Sequence, residues 1–302
     1  MKKHTLYFIL FMMSFLGYSV ATQAQTTSDR AWWDALPAAW KTTFIKELGV
    51  RGNIDPLPDE FLAEIVKLKR LDCSSNPEIK SLKPLEKLVN LEVLNCSNSP
   101  GLGSLEGLSN LTKLKELNCS RNDAFTSLAP IEGLTGLEKL NCAETMIISL
   151  GPIRNFMSLR ELKCNFTIVR DLEPIANLKT LEVLDISDCP IYDLTPIENL
   201  VDLRELHANG SRVENLEALE KLKTLDELHI SNTDVKTLKD VIGLKQLKII
   251  ECSNTEIQMI SYLFAHTGIQ YLNILDTKVP EYEVKRFTQE YPNCIVEYSF
   301  TE

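Results

Sequence analysis

Residues 159–180 read LRELKCNFTIVRDLEPIANLKT and residues 181–202 read LEVLDISDCPIYDLTPIENLVD. Superimposed, the two stretches share Leu at positions 1, 4, 14 and 20, Cys or Ile at position 6, and Pro-Ile at positions 16 and 17. Working outward, the same signature starts at Leu68, Leu91, Leu114 and Leu137 on one side and at Leu203, Leu225, Leu247 and Ile269 on the other. The first three repeats are 23 residues long and the next six are 22. A fixed period of this length specifies a solenoid, because each unit buries its apolar face only against its neighbours. Function is therefore sought on a long surface rather than in one pocket.

Within each repeat, positions 4 and 6 alternate with polar residues, as in Leu184-Asp185-Ile186 and Leu228-His229-Ile230. That alternation is the period of a short strand. Strands that return every 22 residues in one direction form a parallel sheet, one strand per repeat, on the inner side of the curve. Position 9 holds Asn76, Ser99, Asn122, Thr145, Thr167, Cys189, Ser211, Thr233, Thr255 and Thr277. Such short side chains suit a bond to the turn backbone after the strand, which makes them a structural ladder and not a row of nucleophiles. The Leu-x-Pro-Ile/Leu segments that follow fit brief 3₁₀ or irregular turns better than full helices.

Ahead of the repeats, Lys2 and Lys3, the apolar run from Leu6 to Leu16 and a small-residue site at Ser19-Val20-Ala21 or Thr22-Gln23-Ala24 read as a secretory signal peptide over residues 1–24. The apolar run is shorter than the roughly 20 residues that span a bilayer, so no membrane insertion is expected. The expected location is secreted, periplasmic or cell surface. The formal charge is −10, and removal of Lys2 and Lys3 with the leader takes it to −12. An acidic surface without basic clusters repels phosphate backbones, so no nucleic-acid partner is expected.

Eight cysteines in a secreted chain would ordinarily be read as four disulfides. Here Cys73, Cys96, Cys119, Cys142, Cys164 and Cys252 share position 6 with Ile186, Ala208, Ile230 and Ile274. A residue interchangeable with Ile and Ala serves as a small buried hydrophobe. Stacked strands about 4.8 Å apart also hold neighbouring Cβ atoms beyond disulfide reach. Free thiols are expected, with a disulfide or metal ladder as the alternative.

The repeat pattern resembles the bacterial leucine-rich repeats of the internalin type, in their 22-residue class, over residues 68–279. The resemblance implies an α/β solenoid, a right-handed superhelix with a concave parallel sheet, and a role in protein recognition that extends in the family to adhesion and host interaction. Thr and Ser outnumber Asn at position 9 and Cys displaces Leu at position 6, and both departures keep the physical property that the position needs. The stretch before the repeats, with Trp32, Trp33, Trp40, Phe44 and Leu48 and then Phe61, Leu62 and Ile65, reads as a helical N-terminal cap over residues 25–67. Residues 280–302 read as a C-terminal cap, with Val284, Phe287 and Tyr291 on a helix and Cys294, Val296 and Tyr298 alternating as a closing strand.

No phosphate-binding Gly loop, nucleophile elbow, zinc motif or carboxylate pair is present, so neither an enzyme nor a cofactor is expected. The expected partner is a protein and the expected state a monomer. Position 5 faces out from the sheet, and in the later repeats it reads Asp185, His207, His229, Glu251 and Asn273. Two adjacent imidazoles suit a metal or a pH response with pKa values raised by the acidic flanks; an ordinary solvated row is the preferred reading, with no metal site. Position 7 is mostly Ser, Ala or Asn, a small-residue carpet expected to face outward, broken by Phe166, Ile249, Tyr271 and Leu275. The candidate contact residues are therefore Phe166, Asp185, His207, His229, Ile249, Glu251, Tyr271, Asn273 and Leu275, with the last repeats as the anchor. A scaffolding element of the cell envelope and a glycan-binding protein are the alternative functions.

Overall fold

The computed structural model describes residues 25, 27–50 and 56–299, so the expected leader at 1–24 lies outside the described residues. Eleven strands form one parallel sheet in strict chain order. They are β1 (Arg70–Asp72), β2 (Val93–Asn95), β3 (Glu116–Asn118), β4 (Lys139–Asn141), β5 (Glu161–Lys163), β6 (Val183–Asp185), β7 (Glu205–His207), β8 (Glu227–His229), β9 (Ile249–Glu251), β10 (Tyr271–Ile274) and β11 (Ile295–Tyr298). The register does not slip: Leu71, Leu94 and Leu117 lie opposite one another at one end, and Leu228, Ile250 and Leu272 at the other. Between strands the chain returns mostly through 3₁₀ turns, five of which, Lys83–Lys87, Ala129–Ile131, Gly151–Ile153, Glu173–Ile175 and Thr195–Ile197, carry Pro at their start. Proline fits there because its φ is preset and its missing N–H has no partner to lose. The result is the leucine-rich-repeat solenoid that the period specifies, with the sheet on its concave side and short turns on its convex side.

One apolar stack runs the length of the molecule. Leu159, Leu162, Leu172, Ile175 and Leu178 of a single repeat are all fully buried or nearly so. Each such side chain contributes about 1.5–3 kcal/mol relative to exposure.

Three hydrogen-bond ladders hold the repeats in phase. In the first, the N–H at position 6 donates to the carbonyl at position 5 of the next repeat, as Cys96 does to Asn118 at 2.8 Å. In the second, the residue at position 8 adopts a left-handed conformation in every full repeat, from Ser75 (φ 54°) to Asp276 (φ 53°). This turn aims its N–H at the next repeat, as Phe166 donates to the Ser187 carbonyl at 2.9 Å. In the third, the position 9 hydroxyl donates to the position 6 carbonyl of its own repeat: Thr145 to Cys142, Thr167 to Cys164 and Thr255 to Cys252, each at 2.7 Å. Asn122 does more, since its amide bridges the carbonyls of Cys119 and Cys96 at 2.8 and 3.1 Å and its oxygen receives the Ser99 N–H at 2.8 Å.

Position 2 adds a ladder of charge. It reads Lys69, Glu92, Lys115, Glu138, Arg160, Glu182, Arg204, Asp226 and Lys248, strictly alternating in sign. Lys69–Glu92, Lys115–Glu138 and Lys248–Asp226 form ion pairs at 2.8, 3.0 and 3.2 Å, and Arg160 pairs with Glu182. Exposed pairs of this kind stabilise little. Their worth lies in register, because the pairs form only while position 2 of one repeat lies beside position 2 of the next.

At the N-terminal end, α1 (27–34), α2 (Ala38–Glu47) and α3 (Asp59–Ile65) cover the first repeat. Trp40 and Phe44 stack at a centroid distance of 5.4 Å, and the indole N–H groups of Trp40 and Trp32 donate to the carbonyls of Ser81 and Pro84 at 3.1 and 3.2 Å. The tryptophans are thus packed onto the first convex turn. At the other end, α4 (Glu281–Glu290) buries Val284 and Phe287, and the Glu283 carboxylate receives the Ile260 N–H at 2.7 Å. Strand β11 pairs with β10, Val296 opposite Leu272. Tyr298 lies opposite Ile274 and is 45% exposed at the outer edge of the sheet.

All eight cysteines are free, seven of them buried. The thiols of Cys73, Cys119 and Cys252 lie 3.4 Å from the position 5 carbonyl of the following strand, a weak hydrogen bond that Ile cannot make. Burial pushes the thiols of Cys96, Cys142 and Cys252 up to about 12, which keeps them protonated and inert. Half-buried Cys294 is raised to about 11. Alkylation of the native protein at neutral pH is expected to reach half-buried Cys294 before the seven buried thiols, whereas denaturant without reductant releases all eight. Recovery of four or fewer thiols in denaturant would contradict this account.

Candidate functional site

Strand positions 3 and 5 point away from the core, so two columns of side chains run down the concave face. Pairing sets Asp185, His207, His229, Glu251 and Asn273 opposite one another in turn on β6 to β10. The neighbouring column is Val183, Glu205, Glu227, Ile249, Tyr271 and Ile295. Seven of the nine candidate residues therefore stand on one continuous face. Leu275 is half-buried just beyond β10, and Phe166 stands apart, 57% exposed in the left-handed turn after β5.

The face is not uniform, because position 5 has a second duty. Where it is Asp or Asn, its side chain accepts the N–H two residues on: Asp72 from Ser74 at 2.9 Å, Asn95 from Ser97 at 3.2 Å, Asp185 from Ser187 at 3.0 Å and Asn273 from Leu275 at 3.1 Å. These side chains cap their own turns. His229 and Glu251 leave that task to the preceding repeat, where Asn209 Oδ1 accepts the Ser231 N–H at 2.8 Å and Ser231 Oγ accepts the Ser253 N–H at 3.1 Å. His229 and Glu251 are thus released from the backbone.

The small-residue carpet at position 7 is only partly an outward surface: Ser120, Ala143, Ser187 and Ser231 are buried, and Ser120 Oγ donates to Asn118 Oδ1 at 2.8 Å, whereas Ser74, Ser97, Asn165, Asn209, Ser253 and Leu275 are half-buried. The larger accessible side chains stand in the pair of columns at positions 3 and 5.

The two imidazoles stack at a centroid distance of 4.2 Å with planes 14° apart. His229 Nδ1 lies 3.1 Å from Glu251 Oε2, and its Nε2 is buried, 3.6 Å from Glu227 and without a hydrogen-bond partner. His207 Nε2 lies 3.8 Å from Glu205. The expectation that acidic flanks raise the pKa fails for His207, whose pKa is lowered. Burial and the adjacent His229 disfavour its charged form more than Asp185 and Glu205 favour it. Among the described residues, no three His, Cys, Asp or Glu side chains are grouped to hold a metal ion.

Two features escaped the residue list. Glu205 and Glu227 occupy position 3, which the period of two places on the same face as position 5, so the strand pattern contained them. The other is a flank of exposed apolar side chains, Met146, Ile148, Ile168 and Tyr192, which with the candidate Phe166 lie in the turns after β4, β5 and β6. Nothing periodic marks it.

A family model described as leucine-rich repeats in two copies matches residues 66–110. An internalin from Listeria monocytogenes (inlF) superimposes with a TM-score of 0.64 at 22% identity, covering 87% of this chain and 90% of that one. Internalin C2 from the same organism gives 0.63 at 23% identity, with 72% and 93% covered. The leucine-rich-repeat ectodomain of the plant receptor kinase GASSHO1/SCHENGEN3 from Arabidopsis thaliana, in complex with Casparian strip integrity factor 2, gives 0.63 at 16% identity, with 80% and 32% covered. No curated protein matches the chain. At these identities the likeness is one of fold.

Because His207 is held neutral by burial and by its neighbour, its imidazole is expected to titrate below the ordinary histidine value of about 6.5 and to move upward in His229→Gln. Imidazole proton shifts followed by NMR across pH 5 to 8 check this. A midpoint at or above the ordinary value, unmoved by the substitution, would contradict the arrangement.

Proposed function

We propose that the chain is a protein-recognition module that offers the concave face of β6 to β11 to another protein. One observation carries the reading: His229 and Glu251 are excused from the turn-capping task that fixes the Asp and Asn side chains at position 5, and they adjoin Ile249 and Tyr271 on one face. Side chains that neither build the core nor hold the backbone are available for contact, and interface energy concentrates in a few large residues of this kind. The complex of the receptor ectodomain with its integrity factor is a precedent for partner binding on this fold.

In this reading residues 1–24 are a leader, 25–67 and 280–302 cap the stack, and 68–279 carry recognition. The location is secreted, periplasmic or cell surface, the protein acts as a monomer, and it has no catalytic role. Among the described residues no helix is long and apolar enough to cross a membrane. Adhesion or host interaction is the role that the internalin likeness suggests. A scaffolding role in the envelope is favoured by the apolar flank after β4 to β6, which supplies a second surface distinct from the concave face.

Affinity capture from envelope and host extracts supplies the partner. Tyr271→Ala is then expected to weaken binding by about 1–2 kcal/mol or more, while Ser97→Ala leaves it nearly unchanged. Both variants keep the parent melting temperature within a few degrees. Full affinity in Tyr271→Ala and His229→Ala, with losses confined to β1 to β4 or to the convex side, would overturn the assignment.

A further inference from the structure

We propose that the face over β6 to β9 takes a cationic segment of its partner, one that presents Arg or Lys side chains beside apolar ones. This rests on the recognition role proposed above and specifies its chemistry. At strand positions 3 and 5 of β6 to β11 stand Asp185, Glu205, Glu227, Glu251 and Glu297, with no Lys or Arg. The first five strands are different. They carry Arg70, Lys139 and Lys163 at those positions, and both lysines pair with Glu161, at 3.7 and 2.8 Å.

In the second half, the ion-pair geometry of Glu205, Glu227 and Glu251 on this face involves only His207 and His229. Burial and the stacked His229 hold His207 toward its neutral form, so it does little to offset the carboxylate beside it. Carboxylates gathered on one face call for donors, and the residues that bring donors with positive charge are Arg and Lys.

The apolar neighbours fit the same occupant. Glu205 and Glu227 sit in register between Val183 on one side and Ile249 and Tyr271 on the other. A side chain with an aliphatic stem and a cationic head covers the apolar residues with its stem and places the head on the glutamates. A small inorganic cation would leave Val183 and Ile249 uncovered.

The test uses the whole protein and two fluorescein-labelled probes, a peptide of four Gly-Arg-Leu units and one of four Gly-Glu-Leu units, with anisotropy read at physiological ionic strength. Two triple variants lose the same charge: Glu205→Gln/Glu227→Gln/Glu251→Gln on the face, and Glu78→Gln/Glu132→Gln/Glu214→Gln at exposed positions away from it. Both are checked for the parent melting temperature. The Arg peptide is expected to bind, to lose about ten-fold or more in affinity with the face variant, and to change by less than about two-fold with the control. Equal losses in both variants would show attraction to overall negative charge and overturn the inference, as would binding of neither peptide. Preference for the Glu peptide, lost on Tyr271→Ala, would overturn the cationic specificity while leaving concave-face recognition standing.

Discussion

A turn of 22 or 23 residues that aims Leu or Ile inward at positions 1, 4, 14, 17 and 20 has nothing of its own to pack them against. Each turn must lie flat on the next, in phase, and the other features of the molecule are ways of meeting that demand. The left-handed residue at position 8 belongs here. A φ near 55° is costly for Phe166 and Arg121, which lack the freedom of glycine or the local bonding of Asn. The chain adopts it in every repeat because only that turn delivers the N–H to the neighbouring carbonyl, and a buried N–H without a partner would cost about 1–3 kcal/mol. Where glycine does occupy the position, at Gly210, a Cβ would fall 2.4 Å from Asp188 Oδ1.

The same demand sorts the surface. Position 5 side chains point outward, yet Asp and Asn there are drawn back to cap the turn that the stack requires. Transfer of the cap to the neighbouring repeat is the exception, and it occurs in the adjacent strands β8 and β9, where His229 and Glu251 replace Asn and Asp. Structure and recognition compete for one row of residues, and the places where the structural task passes to a neighbouring repeat mark the candidate surface.

Much of this was legible in the chain. The period of Leu68, Leu91 and Leu114 specified the solenoid, the alternation around Leu184 and Leu228 specified the sheet, and the company of Cys with Ile and Ala at position 6 specified free thiols. The alternating charges at position 2 and the glutamates at position 3 were equally written there, since both follow the same period. The burial of Ser120 and Ser187 was not, because a serine's exposure depends on how the turn folds over it. The direction of the His207 pKa was not either, since it balances burial and a stacked imidazole against two carboxylates. Met146, Ile148 and Tyr192 form a flank only after the turns are stacked.

The central claim, that phase between turns holds the molecule together, is tested most directly by deletion. Removing residues 181–202 takes out one full turn and brings Leu203 into the place of Leu181, whereas removing residues 181–191 takes out half of one. Circular dichroism and thermal unfolding of the two proteins decide the matter. The account expects the 22-residue deletion to remain folded and monomeric with one cooperative transition, and the 11-residue deletion to lose sheet signal and aggregate. Equal behaviour of the two deletions, whether both folded or both unfolded, would contradict it.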